Sequence, residues 1–348
     1  MKQRIIALLL LISILSLSLI SCDVKTPDPE PKHKEYYEYF NTVSSVSSYL
    51  GESDKNFDDN CKTVEKILEE YHKLFDIYYE YSGINNLKTV NKNAGIAPVK
   101  VDRKIIDFLL FAKEAYTLTS GEVNIAMGSV LRLWHDAREA ASISSDIAYI
   151  PDIAKLEQAA EHTSIDDVVI DEENSTVYLK DSKMSLDVGA LGKGYAAEKA
   201  RLALIDKGVK SYVLNIGGNI CAIGEKPSGA AWRTSVKDPH TPGSYALTVN
   251  LKNTSCVTSG DYERYFVYNN QKYHHVIDKD TLFPAEYFSS ITIFTPDSAI
   301  ADALSTALFC MSYEDGMKLV EKLDNVEVFW ISTDGEEYST DGIKDMRP

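Results

Sequence analysis

A glycine-rich stretch at residues 185–195, SLDVGALGKGY, constrains the fold of this chain more than any other segment. Alternating apolar residues at its start predict a β-strand, and the residues that follow it have the composition of a helix. Gly189, Gly192 and Gly194 allow positive φ angles and let the backbone approach a ligand closely. We therefore predict a strand, a tight turn and a helix, with Lys193 placed where a bound phosphate would meet a cation.

A second stretch, AIADALSTAL at residues 299–308, predicts a helix on which Asp302 and Thr306 share one face, because they are four residues apart. One carboxylate and one hydroxyl close to the glycine turn would suit Mg²⁺, which takes few protein oxygens and completes its coordination with water and substrate phosphates. Both patterns have a simpler alternative. A glycine turn often only joins a strand to a helix, and such Asp/Thr pairs are common on solvated helix faces.

Helical and strand-like periods alternate along the rest of the chain. Helices are predicted at residues 58–81, 102–118, 136–160, 195–207, 299–312 and 314–323, with a turn and a short helix at 119–134. Strands and hairpins are predicted at 36–50, 167–179, 212–216, 247–251, 255–258, 265–268, 273–277, 290–294 and 326–338, and a polar loop at 82–100. Helices mixed with many hairpins predict an α+β fold of largely antiparallel sheets with packed helices.

The N-terminus has the features of a secretory signal. Lys2 and Arg4 precede an apolar run, residues 5–20, which is too short and too rich in serine for a membrane-spanning helix. The run ends in the letters LISC at residues 19–22, which resemble a bacterial lipobox, where cleavage before the cysteine leaves a lipidated N-terminus. The alternative is an ordinary signal peptide followed by an incidental cysteine.

These features divide the chain into a lipoprotein signal peptide (residues 1–21), a lipidated Cys22 with a polar tether (residues 22–35) and one folded domain (residues 36–348). We predict an exported protein held on a bacterial membrane by its lipid anchor alone, facing the periplasm or the extracellular side. The formal net charge of −16 argues against a nucleic-acid partner, which would require a basic face. The other four cysteines fit no zinc pattern. Their even number permits disulfides in an exported chain, whereas the apolar runs around Cys221, Cys256 and Cys310 favour buried thiols, and no particular bridge is assigned.

Six motifs occur in an order that is typical of one protein family. They are TSGEVNIAMGSVLRLW (119–134), LDVGALGKGYAAE (186–198), VLNIGGNI (213–220), VTSGDYERYF (257–266), YHHVID (273–278) and ADALSTALF (301–309). On these motifs the chain resembles the ApbE family, flavin transferases that attach FMN to target proteins and use FAD as its source. The resemblance covers residues 40–331 and implies an ApbE-like, T-fold-like α+β architecture.

The chain departs from the family pattern at two places. The pattern Thr-Gly-x-Pro, which commonly follows the histidine motif in the family, is here TLFP at residues 281–284, so that Leu282 stands at the glycine position. An early Met-Gly-Thr-like element of the family corresponds here to FNT at residues 40–42.

The resemblance also implies a metal site made from Asp302, Thr306 and the backbone carbonyl of Gly192. Mg²⁺ at this site would neutralise charge on the FAD pyrophosphate. A Thr or Ser hydroxyl of an acceptor flavoprotein would attack the phosphorus on the FMN side, forming a phosphoester and releasing AMP. That hydroxyl needs a base, because its ordinary pKa is far above neutral pH.

His275 and Asp261 are the candidate catalytic bases. His274 and His275 are neighbours on a predicted strand, so their side chains point to opposite faces, and the family motif favours His275. Asp261 follows a Ser-Gly turn whose amides could also hold a phosphate. Capping of that turn is the alternative role for the Asp261 carboxylate.

The contacts to the cofactor are predicted from the flat apolar walls and few polar groups that flavin and adenine rings require. The candidates are Tyr78 or its neighbour Tyr79, Glu122, Met127, Lys193, Gly217 and Gly218. Trp134 and His135 are predicted to be structural.

Three functions are compatible with this pattern. The first is a Mg²⁺-dependent FAD:protein FMN transferase, whose partners are FAD and an acceptor flavoprotein with a Thr or Ser site. The second is an FAD pyrophosphatase, which uses water as the acceptor and gives FMN and AMP. The third is an FAD-binding lipoprotein without turnover. Asp302 and Thr306 argue against the third, because a protein that only binds FAD needs no metal at the pyrophosphate.

Overall fold

The computed structural model describes residues 28–348. The predicted signal peptide and Cys22 lie outside the described residues. The strands are β1 Lys32–Tyr36, β2 Ser44–Ser48, β3 Val99–Lys100, β4 Val168–Asp171, β5 Thr176–Leu179, β6 Ser211–Ile216, β7 Asn219–Gly224, β8 Trp232–Lys237, β9 Tyr245–Leu251, β10 Ser255–Gly260, β11 Tyr265–Tyr268, β12 Gln271–His274, β13 Phe288–Thr295, β14 Glu327–Ser332 and β15 Glu337–Ser339.

Nine α-helices alternate with these strands in the described part of the chain. They are α1 Asp54–Phe75, α2 Leu87–Lys92, α3 Arg103–Leu118, α4 Gly128–Ile143, α5 Ile153–Ala160, α6 Gly192–Asp206, α7 Ser298–Phe309, α8 Tyr313–Val320 and α9 Ile343–Met346. None of the helices within residues 28–348 is long and apolar enough to cross a membrane.

The largest sheet has eight strands in the order β1-β2-β6-β7-β10-β13-β14-β15, and every neighbouring pair is antiparallel. Three smaller sheets, β3-β5-β4, β8-β9 and β11-β12, are antiparallel as well. The predicted α+β class with largely antiparallel sheets is therefore confirmed.

The core lies on both faces of this sheet. α7 packs on β10 and β13, α6 packs on α7, and α1 packs on α6, so three helices cover one face. The β8–β9 ribbon covers the opposite face, where Trp232 and Phe294 belong to one buried cluster. β13 is consequently buried along its whole length. Strands that are buried on both faces read as continuous apolar runs, and the residues ITIF at 291–294 in β13 do so.

The N-terminal strand prediction, residues 36–50, is wrong in detail. The structure has two strands there, β1 and β2, which form an antiparallel pair around a turn. Phe40 and Asn41 in that turn have left-handed φ angles of 56° and 51°. β1 begins at Lys32, inside the segment predicted as a tether. Its residues before Tyr36 are charged and partly exposed, so no hydrophobic pattern marks them as a strand.

Several further predicted segments differ from the structure. The strand predicted at the start of the glycine-rich stretch is only an isolated bridge between Ser185 and Met127, and Gly189, Gly192 and Gly194 do not have positive φ angles. The predicted polar loop at 82–100 contains α2, whose first turn is capped by the Asn86 side chain, which accepts a hydrogen bond from the Thr89 amide. The predicted helix at 58–81 ends at Phe75, and the predicted helix at 136–160 is split into α4 and α5. Strands β3, β7 and β8 and helix α9 have no counterpart among the predicted elements. Most of these errors fall on short or polar elements, where hydrophobic periodicity carries least information, but β7 is a largely buried strand of six residues.

Leu282 has a backbone conformation that glycine adopts without strain. Its φ angle is +62°, in the left-handed region, and its amide donates to the Asp278 carbonyl at 2.9 Å. Its own carbonyl accepts a hydrogen bond from Trp134 Nε1 at 2.9 Å. The side chain is buried in a cluster with Met127 and Val130. Burial of this side chain therefore offsets the cost of a left-handed leucine.

Replacing Leu282 with glycine tests this balance. Glycine removes the strain of the left-handed conformation, which stabilises the folded state by about 1 kcal/mol. Loss of the buried leucine side chain destabilises the folded state by about 2–3 kcal/mol. We expect Leu282→Gly to lower the free energy of unfolding in urea by about 1–2 kcal/mol. Leu282→Ala is the control, because it loses nearly the same side chain but keeps the strain. An alanine variant as stable as the glycine variant would show that the backbone at residue 282 is not strained.

Candidate active site

The sequence-predicted site residues within residues 28–348, with the exception of Asp261, meet at one cleft with a volume of about 1320 Å³. The β1–β2 turn, the end of α1, the first turns of α4, the glycine turn before α6 and the β6–β7 turn all contribute to its walls. The predicted residues that line it are Tyr78, Glu122, Met127, Gly192, Lys193, Gly217, Gly218, His275, Asp302 and Thr306. Segments far apart in the sequence therefore converge on a single site.

The glycine turn brings α6 into direct contact with α7. The amide of Gly194 donates a hydrogen bond of 2.7 Å to Oδ2 of Asp302. A Cβ atom at residue 194 would lie 2.3 Å from Cβ of Asp302 and 2.5 Å from the carbonyl oxygen of Ser298. Only glycine fits at this position, because any side chain would push the two helices apart. The close approach fixes the orientation of the Asp302 carboxylate.

The predicted metal ligands present three oxygen types to the cleft. Asp302 and Thr306 lie on one face of α7, and Gly192 is the first residue of α6. Oδ1 of Asp302 is 3.8 Å from Nζ of Lys193 and makes no hydrogen bond within the described chain. A carboxylate, a hydroxyl and a carbonyl are the donors that a hard divalent cation prefers. This donor set therefore fits the predicted ion.

Among residues 28–348, no three His, Cys, Asp or Glu side chains lie close enough together to hold a metal ion. The predicted site does not require such a group, because Asp302 is its only ligand of these types. Mg²⁺ commonly binds through one or two carboxylates together with water and substrate phosphates.

His274 and His275 differ in what their rings contact. Nε2 of His274 donates to the Ala285 carbonyl at 2.8 Å, and its Nδ1 accepts from the Val276 amide at 3.3 Å. Both nitrogens of His274 are therefore engaged in holding the chain after β12. Nδ1 of His275, by contrast, is buried and has no hydrogen-bond partner in the described part of the chain, and the residue lines the cleft. His275 is thus the histidine with a nitrogen left for chemistry.

The surroundings of His275 keep its ring neutral. Burial, followed by the positive charge of Arg264 and the neighbouring His274, lowers the pKa of His275 to about 3. Burial disfavours the charged form of histidine, and nearby cations add to this effect. A neutral imidazole can accept a proton from a bound hydroxyl group.

Asp261 is not brought to the cleft. Its buried carboxylate faces a second, smaller cavity of about 360 Å³. There its Oδ2 accepts hydrogen bonds from Nζ of Lys272 at 2.5 Å and from Oγ of Ser289 at 3.3 Å. Its neighbours Gly260 and Tyr262 line the large cleft instead. The structure therefore separates the two predicted bases, and it places Asp261 in an ion pair under the β11–β12 hairpin.

Two of the predicted cofactor-binding residues, Tyr78 and Glu122, have different surroundings in the cleft. The Tyr78 ring lies 5.0 Å from the His135 ring at 33°, and its side chain is 40% exposed. Burial of the hydroxyl raises the pKa of Tyr78 to about 12. Oε1 of Glu122 is 3.3 Å from Nζ of Lys279, and its Oε2 is buried without a partner. Burial raises the pKa of Glu122.

Met127 and the two glycines shape the walls through their backbones. Met127 precedes α4 and forms an isolated parallel bridge with Ser185, at the start of the glycine-rich stretch. Gly217 and Gly218 have φ angles of 57° and 95° in the turn between β6 and β7. A Cβ at Gly217 would lie 2.5 Å from Cγ2 of Thr42, so the FNT element at 40–42 packs directly on this turn.

Sequence analysis did not assign every cleft residue to the site. Among those that it missed or misassigned are His135, Arg138, Asp187 and Arg264. His135 was predicted to be structural together with Trp134, but only Trp134 is buried in the apolar cluster. His135 and Arg138 are three residues apart on α4 and therefore share one face of the helix. This spacing could have indicated from the sequence that both side chains lie on the same side. The side chain of Arg264 lies in a turn after β10, where no periodicity indicates its direction.

Comparison with known proteins shows the family to which the sequence is related. The sequence matches the ApbE family over residues 40–330. A relative from Treponema pallidum, named FAD:protein FMN transferase, is 36% identical over 274 residues, covering 74% of this chain and 74% of the relative. A relative of the same name from Klebsiella pneumoniae is 27% identical over 271 residues, covering 77% of this chain and 81% of the relative.

Solved structures agree with the fold. The ApbE protein from Thermotoga maritima superposes with a TM-score of 0.80 at 26% identity, covering 92% of this chain and 100% of that one. The flavin transferase ApbE from Vibrio cholerae gives a TM-score of 0.75 at 21% identity, with the same coverage, 92% and 100%. The predicted ApbE-like architecture and the predicted enzyme class, a transferase, are both confirmed by these relatives. The chain belongs to the ApbE family.

Proposed function

We propose that this protein is a Mg²⁺-dependent FAD:protein FMN transferase, which joins FMN through a phosphoester to a Thr or Ser of an acceptor flavoprotein and releases AMP. The curated relatives carry the name of this activity. The observation that carries the proposal is the single cleft in which Asp302, Thr306 and Gly192 are joined by His275, whose Nδ1 has no other partner.

The size and lining of the cleft suit a dinucleotide. Its volume of about 1320 Å³ exceeds the ~300–1,000 Å³ typical of pockets for drug-sized ligands. Tyr78, Met127 and the turn at Gly217 and Gly218 would contact the rings, and Lys193 would contact the phosphates. The buried Oε2 of Glu122 is free to accept a hydrogen bond from the ligand.

The residues present can perform the proposed transfer. His275 would take the proton from the acceptor hydroxyl as its oxygen bonds to the FMN-side phosphorus. The anhydride P–O bond then breaks, and its electron pair leaves on the AMP phosphate. Mg²⁺, held by Asp302, Thr306 and the Gly192 carbonyl, would supply charge neutralisation at the pyrophosphate. The neutral ring of His275 is in the correct state to receive this proton.

The proposal includes export and a lipid anchor at Cys22, supported by the LISC pattern at residues 19–22. Acyl chains on this residue would hold the protein on the membrane surface, facing the periplasm or the extracellular side. We expect Cys22→Ser to move the protein from the membrane fraction to the soluble fraction. Equal membrane retention of the wild-type and Cys22→Ser proteins would argue against the anchor.

The proposed activity is tested with purified protein, FAD, Mg²⁺ and a flavoprotein domain that offers a threonine acceptor. The acceptor mass and released AMP are followed in the same samples, with EDTA in place of Mg²⁺ as the control. Acceptor that gains FMN in step with AMP release is the expected result. Release of AMP and free FMN with unmodified acceptor would identify a pyrophosphatase. Intact bound FAD after long incubation would identify a protein that only binds FAD.

A further inference from the structure

Two arginines of the cleft have no ion-pair partner within residues 28–348. Arg138 and Arg264 are the only arginines within residues 28–348 that line it. Neither has a carboxylate within 4.0 Å in the described part of the chain, whereas Arg103, Arg132 and Arg201 each do. Six Asp or Glu residues also line the cleft, but within residues 28–348 neither guanidinium group pairs with any of them. Both groups therefore keep N–H donors and a positive charge that an anionic ligand could use.

Arg138 is held in place by its neighbour on α4. Its Nη2 lies 3.1 Å from Nδ1 of His135. Because a guanidinium group has no acceptor, Nδ1 of His135 must be the acceptor and the His135 ring is neutral. Burial and the charge of Arg138 also lower the pKa of His135. The interaction orients Arg138 and leaves its positive charge uncompensated.

Both arginines affect the pKa values of two titratable groups that line the cleft, His275 and Asp187. Arg264 and Arg138 each lower the pKa of His275. They also favour the ionised form of Asp187, although burial is the larger effect and raises the pKa of that carboxyl group. Oδ1 of Asp187 is already bound by the Gly189 amide at 2.8 Å. Because burial raises the pKa of Asp187 and disfavours its charged form, this carboxyl group does not balance the charges of two guanidinium groups.

We propose that Arg138 and Arg264 bind the phosphoryl oxygens of the flavin nucleotide beside His275. This inference rests on the proposed function, because it assigns the pyrophosphate of FAD to the same cleft. Guanidinium groups match phosphate oxygens through paired N–H donors, which gives both charge and orientation. The two residues would bind the FMN-side phosphate before transfer and in the transferred product.

In this proposal Arg138 and Arg264 stabilise negative charge, and His275 accepts the proton. As the acceptor oxygen bonds to phosphorus and the anhydride P–O bond breaks, negative charge spreads over the oxygens of the transferred phosphoryl group. The two guanidinium groups stabilise that charge by hydrogen bonding. The hydroxyl proton goes to His275, and the electron pair of the broken bond leaves with AMP. No further reactant is needed.

Equilibrium binding of three flavins in EDTA, without turnover, tests the inference. Riboflavin lacks phosphate, FMN has one phosphate, and FAD has two, so quenching of flavin fluorescence reports each affinity. We expect Arg138→Gln and Arg264→Gln each to weaken FMN and FAD binding about 10- to 100-fold, the usual value of a hydrogen bond to a charged group. Riboflavin binding is expected to stay unchanged.

Arg132→Gln is the matched control, because Arg132 lies on the same helix, pairs with Asp136 and does not line the cleft. It should bind all three flavins as the wild type does. Arg138→Lys and Arg264→Lys keep the charge and should recover part of the FMN affinity, which a misfolded variant would not. Equal losses for riboflavin and FMN, or unchanged FMN binding, would overturn the inference.

The two proposals fail separately. The wild-type protein could fail to modify any acceptor while the arginine variants lose affinity for FMN but not for riboflavin. That result would refute the transferase activity and support the phosphate contact. Active wild-type protein with arginine variants that bind FMN normally would refute only the phosphate contact.

Discussion

His275→Gln is expected to lower kcat for FMN transfer about 10²- to 10⁴-fold, the usual contribution of a general base. Glutamine is similar in size to histidine and is neutral, as the half-buried ring of His275 is, but it cannot carry away the hydroxyl proton. Because Nδ1 of His275 has no protein partner, the substitution breaks no hydrogen bond within the described chain. FAD affinity and thermal stability should therefore remain near their wild-type values. Single-turnover transfer and flavin fluorescence titration measure the two quantities.

The pH dependence provides a second measurement on His275. In the free protein its pKa is lowered to about 3, so the ring is neutral at every ordinary assay pH. A bound pyrophosphate favours the charged imidazolium and raises this pKa. On the acid side, the pH profile of kcat reports the pKa in the enzyme–substrate complex, and that of kcat/KM reports the pKa in the free enzyme. The fall in kcat should therefore occur at a higher pH than the fall in kcat/KM. Coincident limbs, or a His275→Gln variant with wild-type kcat, would remove His275 from this role.

Asp302→Asn is expected to reduce Mg²⁺-dependent transfer about 10³-fold, which corresponds to several kcal/mol of lost charge stabilisation. Asparagine keeps the size of the side chain and an oxygen that can accept the hydrogen bond of the Gly194 amide. The variant should therefore fold normally but lose the negative charge that a divalent cation requires. Calorimetric titration of Mg²⁺ into the protein with bound FAD measures the loss directly.

Asp297→Asn is the matched control for Asp302→Asn. Asp297 caps the same helix by accepting hydrogen bonds from the Ala299 and Ile300 amides, and it does not line the cleft. Asparagine caps helices as well as aspartate does, so this variant should retain Mg²⁺ binding and transfer. Full Mg²⁺-dependent activity in Asp302→Asn would show that the cation binds elsewhere.

Local patterns in the sequence predict much of the site. Gly194, Asp302 and Thr306 lie in two segments with strong helical character, and helical spacing places both oxygen side chains on one face. The glycine at residue 194 signals a close approach, and the structure shows that the approach is to Asp302 itself. Sequence pattern was less informative for β1, whose charged residues are half exposed, and for the short α2.

The sequence by itself determined the α+β class, the glycine turn and the helical face that carries Asp302 and Thr306, because hydrophobic period and glycine chemistry act over a few residues. Only the tertiary structure decided the direction of side chains in turns. Lys272 and Ser289 hold Asp261 away from the cleft, whereas Arg264, three residues later, lines it. Such directions depend on partners from other strands, and no local period encodes those partners.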